Sequence, residues 1–224
     1  MSQQQLAKPI VLIGQTPGSA TIATRQPPRA ALPRVYLLSP AHSGGKRAKM
    51  LFGQNAKFEV SRRLRTAGIP LGEAFGFMSP LYFRGKLTYA KSFACAPEGV
   101  PGTLIITPSR GLVTPETIVG IEELREISEE RVAFDNPKYR DPLQRDLALL
   151  LQAIGTNAQV VLLGSIATRK YIPLLKETLG SRIAVPRKFV GLGNMQRGGL
   201  LLQCSREGCE LEYVSAVELQ INSL

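Results

Sequence analysis

Apolar runs alternate with amphipathic stretches along this chain, and each pattern predicts a different kind of element. Continuous apolar runs at residues 35–38, 103–107 and 159–163 predict buried strands, because a strand covered on both faces shows no polar alternation. Residues 59–67, 82–93 and 141–154 repeat apolar side chains at helical spacing, and Gly68 and Gly155 follow two of these segments. The core of the protein is therefore expected to combine strands and helices.

Less regular signals predict the remaining elements. Thr114 followed by Pro115 is typical of a helix N-cap and first helical residue, so we expect a helix to begin there and to include the glutamate-rich stretch up to residue 130. Another helix is predicted at residues 169–179, with Gly180 at its end. Residues 183–185 and 199–202 are predicted strands, and residues 210–214 are predicted to pair at a sheet edge.

The order of these elements predicts the fold class. Strands that alternate with amphipathic helices indicate an α/β domain with a mixed, largely parallel sheet covered by helices on both faces. We expect residues 34–224 to form this single domain. Residues 1–33 are expected to form an extended N-terminal arm, because the part after residue 15 is rich in Thr, Pro, Ala and Gly.

Small or basic turns follow each of the buried strands, at residues 39–49, 109–111 and 164–168. In an open α/β sheet, ligands bind beyond the carboxyl ends of the strands. We therefore expect the turns to meet in one composite site. The first turn also contains the chain's single histidine, His42, which is able to act as an acid or base near neutrality.

The charge balance indicates a polyanionic partner. Lysine and arginine number 28 against 17 acidic residues, for a formal net charge of +11. Such an excess attracts nucleic acid first and an anionic membrane surface second, and an acidic protein partner is a third possibility. No apolar run is long enough to span a bilayer and no secretion signal is evident, so we predict a cytoplasmic protein without membrane contact.

Cysteine and histidine usage argues against a metal or a disulfide framework. Three cysteines and one histidine do not supply a structural zinc site, and the sequence predicts no metal and no cofactor. Cys204 and Cys209 could face each other as a redox pair, although two reduced thiols are the simpler interpretation.

The sequence matches two nucleotide-binding motifs only in part. Gly45 and Lys46 fit the end of a P-loop, whereas Pro40 and Arg47 stand where the first glycine and the metal-binding hydroxyl belong, which excludes a standard NTPase. The glycine-rich residues 191–199 lack the third glycine of a dinucleotide fingerprint. They are interpreted either as a backbone cradle with Arg197 reaching an anion, or as a plain turn.

The candidate site follows from these turns and from the basic helices near them. His42 is the candidate general acid or base. Segment 82–93 mixes cations with aromatic rings, which fits either nucleic-acid contact or a core helix with solvated charges. The predicted phosphate or nucleic-acid contacts are Ser39, Ser43, Lys46, Arg47, Lys49, Arg62, Arg63, Arg65, Arg84, Lys86, Ser109, Arg110, Ser165 and Arg197.

Residues 37–41, Leu-Leu-Ser-Pro-Ala, resemble the Leu-Ile-Ser-Pro-Ala start of the YaaA peroxide-stress protein family. The Ser-Arg-Gly-Leu turn at residues 109–112, a Val-Val strand followed by Tyr171, and a late Arg-Gly pair occur in a similar order. The resemblance implies a mixed α/β fold, DNA binding and a role in limiting oxidative damage. The family's lysine after Ser-Pro-Ala is His42 here, with Lys46 close enough to supply a cation.

Two functional hypotheses follow, with an interaction protein that meets an acidic partner as a third. The first is a nucleic-acid-binding protein of the YaaA type that contacts DNA rather than RNA, or a nucleotide. The second is an enzyme that cleaves or transfers at an N-glycosidic bond, with His42 protonating the departing base. For that enzyme Glu73, Glu116 and Asp141 are candidate carboxylates by availability alone, and none lies in a strand-end turn.

Overall fold

The computed structural model describes residues 32–166 and 170–217. The predicted N-terminal arm thus lies outside the described residues except for Leu32 and Pro33. The strands, numbered along the chain, are β1 (Arg34–Leu38), β2 (Ile69–Pro70), β3 (Thr103–Thr107), β4 (Gly111–Val113), β5 (Ile118–Val119), β6 (Gln159–Leu163), β7 (Ile183–Pro186) and β8 (Tyr213–Ser215). The α-helices are α1 (Lys46–Phe52), α2 (Glu59–Thr66), α3 (Leu71–Met78), α4 (Tyr82–Phe93), α5 (Ile121–Glu129), α6 (Pro137–Ala153), α7 (Ile172–Leu179) and α8 (Asn194–Glu207).

Within the described residues, a six-stranded sheet has the order β4-β3-β1-β6-β7-β8. Strands β3, β1, β6 and β7 are parallel, and the edge strands β4 and β8 are antiparallel to their neighbours. Strands β2 and β5 pair separately in an antiparallel ladder. The predicted mixed, largely parallel α/β sheet is confirmed. Of the segment 210–214 that was predicted to pair at an edge, Tyr213 and Val214 do so, in β8.

The central strands are covered on both faces. All of β3 is buried, and so are the last four residues of β1 and of β6. Since successive side chains of a strand point to opposite faces, burial at every position keeps both faces from water. This is the physical origin of the continuous apolar runs in the sequence. Helix α4 packs on β1 and β3, α6 on β3 and β4, and α7 on β7.

The strand order places a crevice at β1 and β6. From β1 the chain adds β3 on one side, then crosses to add β6 on the other side and β7 beyond it. The connections leaving β1 and β6 therefore separate at the carboxyl ends of these strands. A reversal of this kind is where open α/β sheets bind their ligands.

Helix α6 begins earlier than the sequence pattern predicts. Asn136 caps it by accepting the Lys138 N–H at 3.2 Å, and Pro137 is the first helical residue. The predicted start at Asp141 is wrong, because this upstream cap starts the helix and Pro142 lies inside it.

The helix start predicted at Thr114 is also wrong. Residues 114–117 form a turn in which the Thr117 N–H donates to the Thr114 carbonyl at 3.2 Å, and the short strand β5 follows. Helix α5 begins only after Gly120, whose N–H donates to the Glu123 carboxylate at 2.8 Å. The Thr-Pro pair thus shapes a turn instead of a helix.

Residues 199–202 belong to helix α8, so the strand predicted there is wrong. The helix ends at Gly208, whose φ of 65° is the left-handed conformation typical of a helix stop. Helices α8 and α4 cross at Gly85 and Gly198: a Cβ on Gly85 would lie 2.8 Å from the Gly198 carbonyl oxygen. The glycines that suggested a loop therefore permit close packing between two helices.

Other properties of the described chain bear on function only indirectly. No helix in residues 32–166 and 170–217 is long and apolar enough to cross a membrane. The three cysteines are free thiols: Cys204 is buried, Cys209 is exposed and Cys95 is half-buried. The Cys209 N–H, just beyond the end of α8, donates to the carbonyl of Cys204 in its last turn at 3.1 Å.

Candidate functional site

A cavity of about 720 Å³ lies at the crevice between the carboxyl ends of β1 and β6. Its floor contains Ser39 from the end of β1 and Ser165 from the end of β6. One part of the wall comes from α4 and the residues just before it, at positions 79–83 and 86. Another part comes from the last turn of α5 and the residue after it, at positions 127, 128 and 130. Pockets that bind small ligands typically have volumes of about 300–1,000 Å³, so the cavity is large enough for a nucleotide.

Lys86 is the least expected group in this cavity. Its side chain is 1% exposed, and its Nζ donates to the Ser39 carbonyl at 2.5 Å and to the Ser39 Oγ at 2.8 Å. The amine also lies 4.5 Å from the centre of the Tyr82 ring and 5.0 Å from that of Phe83. No carboxylate of the described chain forms an ion pair with it. Burial alone lowers the pKa of Lys86 well below its usual value.

Unpartnered hydroxyls face the same space. Among the described residues the Tyr82 hydroxyl and the Ser128 Oγ are buried without a hydrogen-bond partner, and both residues line the cavity. Burial raises the pKa of Tyr82 and of Tyr171, so both phenols stay protonated at neutral pH. Buried polar atoms are normally paired, so these two hydroxyls are available to bind a ligand or water that enters the cavity.

The loop after β1 is tied to the end of α5. The Ser43 Oγ donates to the Ser128 carbonyl at 2.8 Å, and His42 beside it lines the cavity with an exposed imidazole. The imidazole folds over Gly44, where a Cβ would be 2.8 Å from the His42 Nε2. The absence of a side chain at Gly44 thus permits this placement of the predicted acid or base.

Glu130 supplies a carboxylate at the cavity that the sequence patterns did not reveal. Its carboxylate accepts from the Asn136 amide at 2.8 Å and pairs with Lys138 at 3.4 Å. The Asn136 hydrogen bond is the main cause that holds the pKa of Glu130 below its usual range. Glu130 is therefore ionised at neutral pH.

The turn at residues 109–111 approaches the cavity less closely than predicted. Pro108 lines the cavity, but Arg110 pairs with Glu123 at 2.9 Å and with Glu126 at 2.8 Å. The Ser109 Oγ is buried and has no partner among the described residues. This turn braces α5 through Arg110 instead of offering a free cation.

The β6 turn contributes Ser165 to the cavity, as predicted. Residues 167–169, the end of this turn and the start of the predicted helix 169–179, lie outside the described residues. Helix α7 is described from Ile172 and ends at Gly180, as predicted.

Helix α1 carries exposed cations close to the cavity. Lys46, Arg47 and Lys49, here called the α1 cations, follow directly on the cavity-lining loop that ends with His42 and Ser43. In the described chain none of the three forms an ion pair with a carboxylate. Arg47 is partly held, since its Nε donates to the Phe77 carbonyl at 2.6 Å and its guanidinium stacks on the Phe77 ring.

The arginines of α2 are bound to other groups within the fold. Arg62 pairs with Glu59, and Arg63 makes two hydrogen bonds to Glu73 at 2.8 and 2.9 Å. Arg65 donates to the Ser61 carbonyl at 2.9 Å. These contacts do not favour the predicted extension of a phosphate track along α2.

The two remaining predicted arginines do not themselves line the cavity. Arg84 lines a second groove together with Arg47. Arg197 is 6% exposed within α8, and its Nη2 donates to the Phe189 carbonyl at 2.8 Å. Its position inside a helix excludes the glycine-loop cradle, and its buried contacts indicate a role in packing α8.

The structure thus brings together Ser39, His42, Ser43, Lys86 and Ser165 from the predicted set. It adds groups that sequence reasoning missed: Tyr82 and Tyr171 as cavity hydroxyls, Ser128, Glu130 and Lys170. One signal was available for the burial of Lys86. It lies with Phe83, Leu87 and Ala90 on the apolar stripe of α4, three or four residues apart, where a solvated lysine is not expected.

Within residues 32–166 and 170–217, no group of three or more His, Cys, Asp and Glu side chains is placed to hold a metal ion. Scans of the chain against protein-family models, curated proteins and solved structures find no match. The resemblance to the YaaA family therefore stays a prediction from the residues that carry it.

Proposed function

We propose that the protein binds nucleic acid, with the phosphate backbone on the α1 cations and one nucleotide unit in the cavity at the ends of β1 and β6. The observation that carries this proposal is the continuity of the two features. The loop that lines the cavity with His42 and Ser43 continues directly into the helix that bears three exposed, unpaired cations. A nucleic-acid strand bound there through its phosphates would present a base or sugar to the adjacent cavity.

The distribution of the acidic side chains supports the same surface. Three of the four glutamates of α5, Glu122, Glu123 and Glu126, pair with two arginines, so about half of the acidic charge of this helix is neutralised by nearby side chains. The α1 cations have no such compensation within the described chain. When unpaired surface cations contact phosphates, the counterions condensed on the nucleic acid are released, and this release is the main source of affinity for its backbone.

DNA as the preferred ligand, and a cytoplasmic role in limiting oxidative damage, are proposals carried over from the YaaA resemblance and the sequence.

The test is salt-dependent binding of fluorescently labelled single-stranded and duplex DNA, followed by anisotropy. The double variant Lys46→Ala/Lys49→Ala should weaken binding and reduce the salt slope by about 1.4 on single strands and about 1.8 on duplex, at about 0.7 and 0.9 per lost phosphate contact. Arg125→Ala/Arg131→Ala is the matched control. It removes the same charge from arginines that are paired with Glu122 and Asp135. Binding that does not change with salt, or an equal loss in both double variants, would contradict the proposal.

A second candidate function is cleavage or transfer at an N-glycosidic bond, and one observation favours it: Glu130 and His42 line the same cavity. The ionised Glu130 is suited to stabilise a cationic sugar, while His42 protonates the departing base. Water in the case of cleavage, or a second base in the case of transfer, then forms the new bond to the sugar carbon. The carboxylates available from sequence do not line this cavity, since Glu73 pairs with Arg63, Glu116 with Lys91 and Asp141 with Arg140.

Release of free base from nucleotides and DNA distinguishes this candidate from binding alone. If the protein is an enzyme, chromatography should detect a base product with wild type and a loss of at least about tenfold with His42→Ala or Glu130→Gln, because general acid–base groups typically contribute about 10²–10⁴-fold. Glu73→Gln, which alters a carboxylate outside the cavity, is the control. No base release by wild type would rule out this activity and leave the binding function.

A further inference from the structure

Lys86 is a buried amine with an incomplete set of partners. An ammonium group has three N–H donors, and Ser39 accepts from Nζ through its carbonyl and its Oγ. The third donor has no acceptor in the described chain, and the amine lines the cavity. A lysine is almost never fully buried without a paired charge, so this one requires either a neutral amine or an anion from outside.

The surroundings of Lys86 favour an anion from outside. The first turn of α4, a twelve-residue helix, lines the cavity at residues 81–83. Its Phe83 and Arg84 N–H groups already donate to the Ser79 carbonyl at 3.2 and 3.3 Å, so this helix end contributes its partial positive charge and the Tyr82 N–H. Asn194 and Met195, in the first turn of α8, lie at the same cavity. Helix N-termini carry partial positive charge and free N–H groups, and the Tyr82 hydroxyl adds an unpartnered donor.

The other ionisable groups around the cavity do not neutralise Lys86. Glu130 already accepts from Asn136 and pairs with Lys138. Arg197 of α8 lies next to Tyr82 and brings a further positive charge. The remaining titratable groups of the cavity wall are His42, Lys170, Tyr82 and Tyr171.

We propose that Lys86, together with the first turn of α4, forms an anion subsite that takes a phosphate group of a nucleotide. We further propose that Lys86 is neutral in the free protein and takes up one proton when the phosphate enters. This inference rests on the proposed nucleotide pocket and names the part of the ligand that reaches its floor. The lowered pKa of the buried amine agrees with it, since an incoming anion favours the charged form.

The ligand class follows from this charge requirement. A nucleoside has no anion for Lys86, whereas a nucleoside monophosphate has one. The monophosphate complex has a charged hydrogen bond between Lys86 and the phosphate that the nucleoside complex lacks. The monophosphate should therefore bind about ten- to one-hundred-fold more tightly.

Isothermal titration calorimetry near neutral pH tests the proposal with five probes: AMP, CMP, the two matching nucleosides, and inorganic phosphate as a nucleotide-free anion. Titrations in two buffers of different ionisation enthalpy give the number of protons exchanged. We expect wild type to take up about one proton more than Lys86→Arg with each monophosphate and with inorganic phosphate, because protons exchanged by the phosphate itself contribute to both proteins, and no proton with the nucleosides.

Variants at Lys86 separate charge from proton exchange. Lys86→Met should lose the preference for monophosphates together with the proton uptake. Lys86→Arg should keep an anion preference but exchange no proton at this site, because arginine stays charged at all accessible pH values. Lys91→Met is the control, since Lys91 lies on the same helix, is exposed and pairs with Glu116. It should behave as wild type.

The outcomes distinguish the two proposals. Equal binding of nucleosides and monophosphates without proton exchange would overturn the anion subsite and leave the nucleotide pocket intact. Proton-linked binding of inorganic phosphate, lost in Lys86→Met, but no binding of any nucleotide or nucleoside, would support the subsite and contradict the nucleotide pocket. Failure of wild type to bind any anion at millimolar concentration would overturn the subsite.

Discussion

Asp146 in α6 and Lys86 in α4 are both buried ionisable side chains, but their surroundings differ. Asp146 is inaccessible to solvent, and its carboxylate accepts from the Leu112 N–H at 2.9 Å and from the Arg145 Nε at 2.8 Å. Lys86 is equally buried, yet it has a serine and two aromatic rings around it and no carboxylate partner within the described chain. The compensated charge ties α6 to the edge strand β4, whereas the uncompensated one lies in a cavity.

This difference separates a structural role from a functional one. A buried charge with all its hydrogen bonds made stabilises the fold, and removing it leaves its partners unpaired. A buried amine without a charged partner destabilises the free protein, because it gives up its proton on folding, so its presence indicates a ligand that supplies the missing charge. Substitutions at the two sites should therefore change stability in opposite directions.

The largest expected effect is the loss of stability in Asp146→Ala. The variant leaves the buried Leu112 N–H without an acceptor and Arg145 without its carboxylate, which should lower the free energy of unfolding by about 3 kcal/mol. Urea unfolding followed by circular dichroism measures it. Asp141→Ala, in the same helix but with a 60% exposed carboxylate paired to Arg140, should change stability by less than about 1 kcal/mol. Equal losses in the two variants would refute a special role for Asp146.

Lys86→Met should instead stabilise the free protein, by about 2 kcal/mol at pH 9, because methionine fills the site without a desolvated amine. The sign follows from the lowered pKa. Between that value and the ordinary 10.5, the unfolded chain carries a proton on Lys86 that the folded chain lacks, so acid favours unfolding. The advantage of the variant should therefore shrink as pH rises, by up to about 1.4 kcal/mol per pH unit, and vanish above pH 10.5. Urea unfolding at a series of pH values measures this difference, and a constant stability loss at every pH would contradict it.

Helix α4, which carries Lys86, packs closely against α8, and the next prediction tests whether this packing maintains the position of Lys86. A Cβ on Gly198 of α8 would lie 2.9 Å from the Tyr82 Cα, so Gly198→Ala must push α8 away from α4. We expect a loss of about 2 kcal/mol and weaker monophosphate binding. Gly199→Ala is the matched control, because a Cβ there meets nothing within 4 Å and alanine favours the helix by about 1 kcal/mol. Thermal unfolding of both variants checks the prediction, which fails if both raise the melting temperature.

The sequence allowed much of the sheet to be predicted but less of the cavity. Strands β1, β3 and β6 are buried on both faces, and such strands have a local signature that does not depend on the rest of the chain. The strand-end residues Ser39 and Ser165 could be placed together because parallel strands align their carboxyl ends. Helix α8 was missed because its glycines are explained only by contact with α4, which lies far away in sequence.

The charged groups of the site were the least predictable part. A basic residue next to a strand end has the same local sequence whether it is free or paired, and Arg110 is paired with glutamates 13 and 16 residues away. Glu130 reaches the cavity because the end of α5 packs beside the loop after β1, a long-range contact that no local pattern encodes. Lys86 was predicted as a contact residue, but its burial without a counterion follows only from the packed structure.

The smallest expected effect concerns Arg110 and extends the comparison to the surface. Because Glu123 and Glu126 already compensate its charge, Arg110→Ala should change DNA affinity by less than about twofold and stability by less than about 1 kcal/mol. Arg47→Ala, which removes a cation without a carboxylate partner in the described chain, should weaken binding by about three- to fivefold at low salt, as expected for one lost phosphate contact. Anisotropy titrations of both variants at two salt concentrations measure the difference. A larger loss for Arg110→Ala would mean that the glutamates release this arginine to the phosphate backbone, and that ion pairing within the fold does not distinguish structural cations from binding ones.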